Sequence, residues 1–276
     1  MFRSPQPEQG DLRGPLADWG GLASLFAWLG VGLLGAIAIL GAALGIIFGG
    51  LWWDSERIAF NRISRWWGRS VMRMFRGQVD LRGLEHLEGG PYIIAANHQS
   101  TVDLLVLFLL PASYRTVVKR SWFAPPFGLN IWTSGYVPTP KKGDPQGAKK
   151  VIAGCAAWLA RGQHVLIFPE GTRARGWQVQ RFKRGAFELS AMSGCRVLPV
   201  AIAGTNDISH PSSLRFCLRP LRVIVQVLPA LPLVPEPKEL QADCHDKLSS
   251  AVGALRRELK DVHGQGPSAP GPDVPV

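Results

Sequence analysis

The chain has 276 residues, of which 46% are hydrophobic and 18% charged, and a formal net charge of +11. That length and apolar content exclude a disordered chain or a disulfide-stapled miniature and leave room for one domain with its own core beside a further segment. The cation excess asks for an anionic partner, yet no metal finger, helix-turn-helix pattern or RNA-binding signature points to nucleic acid. Cys155, Cys195, Cys217 and Cys244 form no Cys-x-x-Cys pair and read as reduced thiols.

Residues 1–20 read as an N-terminal tail and residues 21–53 as a membrane anchor. No charge occurs from Trp19 to Trp53, and Leu22 to Phe48 is almost all Leu, Ile, Val, Ala and Gly. That exceeds the roughly 20 residues needed to cross a bilayer. It is too long, and starts too far into the chain, for a cleavable secretory signal. Gly41, Gly45 and Gly49 repeat every four residues. They mark either a helix-packing face or simply a Gly-rich composition, and a re-entrant hairpin is the alternative to a spanning helix.

Residues 54–77 read as a basic amphipathic interfacial helix. Arg62, Arg65, Arg69, Arg73 and Arg76 fall on one stripe and Phe60, Ile63, Trp67 and Met74 on the opposite one, with Trp52, Trp53, Trp66 and Trp67 suited to a bilayer interface. The other reading is a helix packed on the domain with a solvated Arg face. Residues 1–18 hold two Arg and three acids, against six Arg and two acids in residues 54–76. The positive-inside rule therefore expects the part beyond the anchor to face the cytoplasm, at the inner membrane if the chain is bacterial.

Residues 78–262 read as one α/β domain. Apolar runs near 79–82, 91–96, 114–118, 164–168, 197–203 and 222–228 alternate with helical stretches near 101–110, 145–161 and 184–193. The alternation predicts a mixed, largely parallel sheet covered by helices, with function at the strand ends. A Pro-rich joint, Pro229 to Pro237, precedes a last helix that places Leu240, Cys244, Leu248, Val252, Leu255 and Leu259 on one face. Residues 263–276, rich in Gly and Pro, read as a disordered tail.

Two strand ends carry chemistry. The strand at 91–96 runs into Asn97-His98-Gln99-Ser100-Thr101-Val102-Asp103, and the strand at 164–168 into Pro169-Glu170-Gly171-Thr172-Arg173. His98 offers a base and Asp103 a carboxylate to orient it, although Ser100 and Asp103 also fit a helix-capping pattern. Gly171 permits a tight turn, and Arg173 presents a planar fork for phosphate. Glu170 has the wrong sign for a phosphate ligand and could pair with Arg173 or Lys183. Lys119 ends the strand at 114–118. No second ligand stands near His98 at a metal-binding spacing, and Cys195 lacks a neighbouring base that would make it a nucleophile.

In order and spacing, Asn97-His98 with Ser100 and Asp103, then Phe168-Pro169-Glu170-Gly171-Thr172-Arg173, then Val197-Leu198-Pro199-Val200 leading to Gly204-Thr205, resemble the glycerolipid acyltransferase family. The closest likeness is to the 1-acylglycerol-3-phosphate O-acyltransferases, over roughly residues 78–230. The resemblance implies transfer of an acyl group from acyl-CoA or acyl-carrier protein to the sn-2 hydroxyl of lysophosphatidic acid, forming phosphatidic acid. His98 would be the base and Asp103 its orienting partner, with Lys119, Lys141 and Arg173 binding phosphate and Glu170, Gly171 and Thr172 shaping the acceptor pocket. No metal, cofactor or covalent enzyme intermediate is called for.

One departure stands out. Val137-Pro138 is followed by Thr139-Pro140-Lys141 where the family usually places Arg. Lysine keeps the charge but loses the bidentate fork. Another lyso-lipid acceptor, such as a lyso-ornithine lipid or a larger-headed lysophospholipid, therefore stays open. A thioesterase or lipid hydrolase is disfavoured by the lack of a Gly-x-Ser-x-Gly elbow, and a non-catalytic adaptor by the intact His98 and Asp103.

Overall fold

The computed structural model describes residues 21–49, 53–54, 57–74, 78–124, 128–174, 176–208 and 222–264. The tail at 1–20, the end of the chain beyond 264, and Trp52, Arg76 and Cys217 lie outside the described residues. Helices α1 (Gly21–Ile47) and α2 (Ile58–Met74) come first. The remaining elements are β1 (Gln78–Arg82), β2 (Ile93–Ala96), α3 (Val102–Leu107), β3 (Tyr114–Val118), α4 (Gly128–Thr133), β4 (Val137–Pro138), α5 (Pro145–Leu159), β5 (His164–Ile167), α6 (Gly185–Ser193), β6 (Val197–Ala203), α7 (Thr205–Ile208), β7 (Arg222–Val227) and α8 (Pro237–Gly264).

The strands form one sheet in the order β1-β7-β6-β2-β5-β3-β4. Every neighbouring pair is parallel except β6 with β7. Strands β6, β2, β5, β3 and β4 therefore run one way, with their C-terminal ends on one edge, while β7 and β1 run the other. Strands β2 and β6 are buried at every position, which is why they read as unbroken apolar runs.

Side chains alternate between two cores. Ile94, Leu166, Leu198 and Val223 face a cluster with Met72, Val106, Leu107 and Phe108, on the side of α2 and α3. Ile93, Val165, Val197 and Ile224 face Cys155, Phe187, Cys244 and Leu248, on the side of α5, α6 and α8. The stripe expected on the last helix is the buried one, from Leu240 to Leu259. Helix α5 starts where Asp144 accepts from the Gly147 N–H at 2.8 Å, with Pro145 in its first turn.

Helix α1 runs unbroken for 27 residues, about 40 Å. Its segment Leu29–Ile47 has a mean hydropathy of 2.4 and is long and apolar enough to cross a membrane. Helix α2 folds back along it. A Cβ on Gly41 would lie 3.6 Å from Ile63, and one on Gly45 would lie 3.1 Å from Phe60, so these two glycines form a packing face. Gly49 instead follows the helix end with φ +75°. Opposite this face, Phe26, Leu29, Leu33, Ile37, Leu40, Leu44 and Ile47 are exposed along one apolar stripe.

Helix α2 is clamped on two sides, which the two-stripe reading of its sequence did not anticipate. Besides the face on α1, it buries Asn61, Ser64 and Gly68 against the domain. Asn61 Nδ2 donates to the Tyr114 carbonyl at 3.0 Å, and the Ser64 and Ser134 hydroxyls lie 3.0 Å apart. A Cβ on Gly68 would fall 2.6 Å from Phe108. Arg62 and Arg73 are exposed, whereas Arg65 and Arg69 are half-buried.

Candidate active site

The site forms where β2 ends between β6 and β5. Asn97 is fully buried, and its side-chain amide donates to the Ile202 carbonyl at 3.0 Å and accepts from the Ile202 N–H at 2.7 Å. It thereby mimics one more peptide of the β2–β6 ladder and fixes the chain as it turns into His98. The His98 backbone is held at both ends. Its N–H donates to Glu170 Oε1 at 2.7 Å, and its carbonyl accepts from the Ala174 N–H at 2.8 Å. The imidazole stacks on Phe168, with ring centroids 4.1 Å apart.

His98 Nδ1 lies 2.8 Å from Asp103 Oδ2. An acceptor there selects the Nδ1–H tautomer and leaves the Nε2 lone pair for a substrate proton. The His98 side chain is 21% exposed and that of Asp103 fully buried. Oδ2 of Asp103 also accepts from the Gln99 and Ser100 N–H groups at 2.6 and 2.8 Å, and Oδ1 accepts from Thr205 Oγ1 at 2.5 Å. The capping and orienting readings of Asp103 thus coincide: one carboxylate ties down the loop that leads into α3 and aims the imidazole.

Glu170 is 3% exposed and forms no ion pair among the described residues. Its second oxygen accepts from the Gln180 N–H at 3.0 Å. Burial pushes its carboxyl up to about 7, against the pull of the two N–H groups and of nearby His98. Glu170 therefore ties the His98 backbone to that of Gln180, in place of the ion pair with Arg173 or Lys183 that was the alternative to its ordering the site. Gly171 takes φ +66°, and a Cβ there would sit 2.4 Å from Lys183 Nζ, so the lysine chain crosses where a side chain would block it.

Thr172 and Arg173 are exposed. Arg173 Nη1 donates to Thr101 Oγ1 at 2.8 Å, which brings the guanidinium onto the loop that carries His98. Thr172, Arg173, Gly176, Trp177, Gln178 and Gln180 line a cavity of about 470 Å³ beside this rim. Lys119 and Lys141 are exposed at the ends of β3 and β4, which the Thr139 N–H joins by donating to the Val118 carbonyl at 2.8 Å. They share the edge of the sheet with His98, but β5 separates β2 from β3, so these strands are about 10 Å apart. Neither lysine makes a described contact with His98 or Arg173.

Sequence reasoning held Asn97, Phe168 and Thr205 within its motifs but gave them no role, and it passed over Gln180. The run Val197 to Thr205 had drawn notice by its spacing, but nothing local in it signals a partner on the first loop.

Residues 78–203 match the family model Acyltransferase. The chain is 34% identical over 180 residues to a 1-acyl-sn-glycerol-3-phosphate acyltransferase of Chlamydomonas reinhardtii, covering 64% of this chain and 53% of that protein. It is 26% identical over 183 residues to the 1-acyl-sn-glycerol-3-phosphate acyltransferase of Salmonella typhimurium, covering 64% and 73%. The crystal structure of the 1-acyl-sn-glycerophosphate acyltransferase PlsC of Thermotoga maritima superposes with a TM-score of 0.64 over 81% of this chain and 95% of that one. At 21% identity, this likeness establishes a shared mixed α/β fold. The chain spans about half the length of the first plant and algal relatives it matches. His98, Asp103 and the turn at 170–173 all lie within the segment that matches the Acyltransferase model.

Proposed function

We propose that the chain transfers a fatty acyl group from acyl-CoA or acyl-carrier protein to the sn-2 hydroxyl of lysophosphatidic acid, forming phosphatidic acid. The observation that carries this reading is the His98–Asp103 pair, 2.8 Å apart and facing the motif turn that bears Arg173, in a chain similar to proteins named for that reaction. The acceptor hydroxyl loses its proton to His98 Nε2 as its oxygen bonds to the thioester carbonyl carbon. The C–S bond then breaks, and the thiolate leaves with that proton as the thiol. Asp103 holds the tautomer and stabilises the imidazolium in between.

Arg173, joined by Lys119 and Lys141 across the sheet edge, binds the acceptor phosphate. Glu170, Gly171 and Thr172 shape the pocket around it. The apolar helix α1 supports a membrane anchor, and the excess of arginine in residues 54–76 over residues 1–18 supports a cytoplasmic site, where the donor thioester is found. Residues 78–262 act as the catalytic unit, with 21–53 as anchor and 54–77 as interfacial helix. The test is a panel of acceptors offered to the purified chain with one labelled acyl-CoA: lysophosphatidic acid, a lysophosphatidylcholine and a lyso-ornithine lipid. The reading expects the first to be used best. Preferential use of either of the others overturns the choice of head group.

A further inference from the structure

Asp103 is gripped from two sides by different parts of the chain. Oδ2 faces His98 and the N–H groups of the loop before its helix, whereas Oδ1 faces the Thr205 hydroxyl, which comes from the turn that follows β6. Asp103 and Thr205 are both 0% exposed. Thr205 lies beyond the segment 78–203 that matches the family model. Its placement has two visible causes. The Asn97–Ile202 bonds lock β6 to the end of β2, and Gly204, at φ +98°, lets the chain turn where a Cβ would lie 2.4 Å from the Arg222 carbonyl oxygen.

A carboxylate held at both oxygens cannot roll about its Cβ–Cγ bond. Without the hydroxyl, Oδ1 is a buried acceptor that has lost its donor, and only the contacts of Oδ2 remain to resist a turn that carries it away from Nδ1. We infer that Thr205 is a positioning residue for the reaction: its hydroxyl fixes the roll of the Asp103 carboxylate and, through it, the tautomer and aim of the His98 ring. The inference rests on the acyl-transfer reading above and adds a residue to its machinery.

The test compares Thr205→Val, Thr205→Ser and the unmodified chain in acyl transfer to lysophosphatidic acid, with kcat and KM determined separately. Valine keeps the shape and removes the donor, so kcat falls about ten- to a hundred-fold while KM stays close to the unmodified value and the melting temperature drops by a few degrees for the unpaired Oδ1. Serine restores the hydroxyl and most of kcat. Normal kcat in Thr205→Val overturns the inference, and so does a serine variant as slow as the valine one, because packing and not the hydroxyl would then be responsible. Should the valine variant misfold, Thr205→Ala, which puts no methyl against the carboxylate, is read in its place; failure of both to fold assigns Thr205 to the fold and overturns the inference. An inactive unmodified chain defeats the acyl-transfer reading itself, which keeps the two failures distinct.

Discussion

Replacing Asp103 by Asn separates what the carboxylate does for the loop from what it does for the imidazole. An amide oxygen can still accept from the Gln99 and Ser100 N–H groups, which lie 2.6 and 2.8 Å from Oδ2. The Thr205 hydroxyl can turn and accept from the new NH2 group. What the variant lacks is the negative charge beside Nδ1. At 2.8 Å and an effective dielectric constant near 20, the attraction of a carboxylate for an imidazolium is about 6 kcal/mol. Water reaching the 21%-exposed imidazole trims that figure toward about 3 kcal/mol, the upper end of what a hydrogen bond to a charged group contributes.

Asp103→Asn should therefore lower kcat roughly 10²–10⁴-fold. It should leave KM for the acceptor nearly unchanged, since a fully buried group does not touch it, and shift the melting temperature only slightly. Asp103→Ala removes the acceptor for two buried N–H groups as well and should also destabilise the fold, by about 2–6 kcal/mol. Initial rates of acyl transfer and denaturant melts on the same preparations decide the matter. An Asn variant within tenfold of normal kcat would reduce Asp103 to a cap for the loop and refute the reasoning.

Arg173→Ala should raise KM for lysophosphatidic acid about ten- to a hundred-fold and for a lysophosphatidylcholine much less, because the guanidinium fork suits a phosphate monoester; equal losses on both acceptors would remove Arg173 from phosphate binding. Glu170 binds its proton more tightly when folded, with a carboxyl pushed up to about 7 against an ordinary 4.5, so its penalty is absent below the lower value and grows as pH rises through the upper one. Relative to Glu170→Gln, the stability of the unmodified chain should fall with rising pH across that window by up to ~1.4 kcal/mol per pH unit, and a pH-independent difference would contradict the assignment. Leu248→Ala on the buried stripe of α8 should cost about 2–5 kcal/mol in a denaturant melt and leave KM alone; a neutral change would mean that the helix is not docked.

What could be read from the sequence was what is local. Strands such as Tyr92 to Ala96 declare themselves by apolar runs, and the stripe Leu240 to Leu259 by its helical spacing. His98 is on a short loop and Asp103 in the first turn of the helix that follows it, so their meeting needs little more than a turn. The roles that escaped depend on contacts between distant segments. The partners of Glu170 could not be read because they are backbone N–H groups 72 and 10 residues away, which leave no trace in side-chain chemistry. Thr205 reaches Asp103 across 102 residues. The buried polar face of α2, Asn61 and Ser64 beside Gly68, looks like part of a solvated surface until Tyr114 and Ser134 supply its hydrogen bonds. Strand β4 has only two residues, too few for a period to show, and the reversal of β7 and β1 is a matter of topology that periodicity does not encode.

The measurement that bears most directly on the central claim is transfer of labelled oleoyl groups from CoA to lysophosphatidic acid by the detergent-solubilised chain, beside His98→Ala and a control lacking acceptor. The account predicts labelled phosphatidic acid from the unmodified chain only, with the variant folded and still in the membrane fraction. Substantial transfer by His98→Ala, or thioester loss that needs no acceptor, would contradict it.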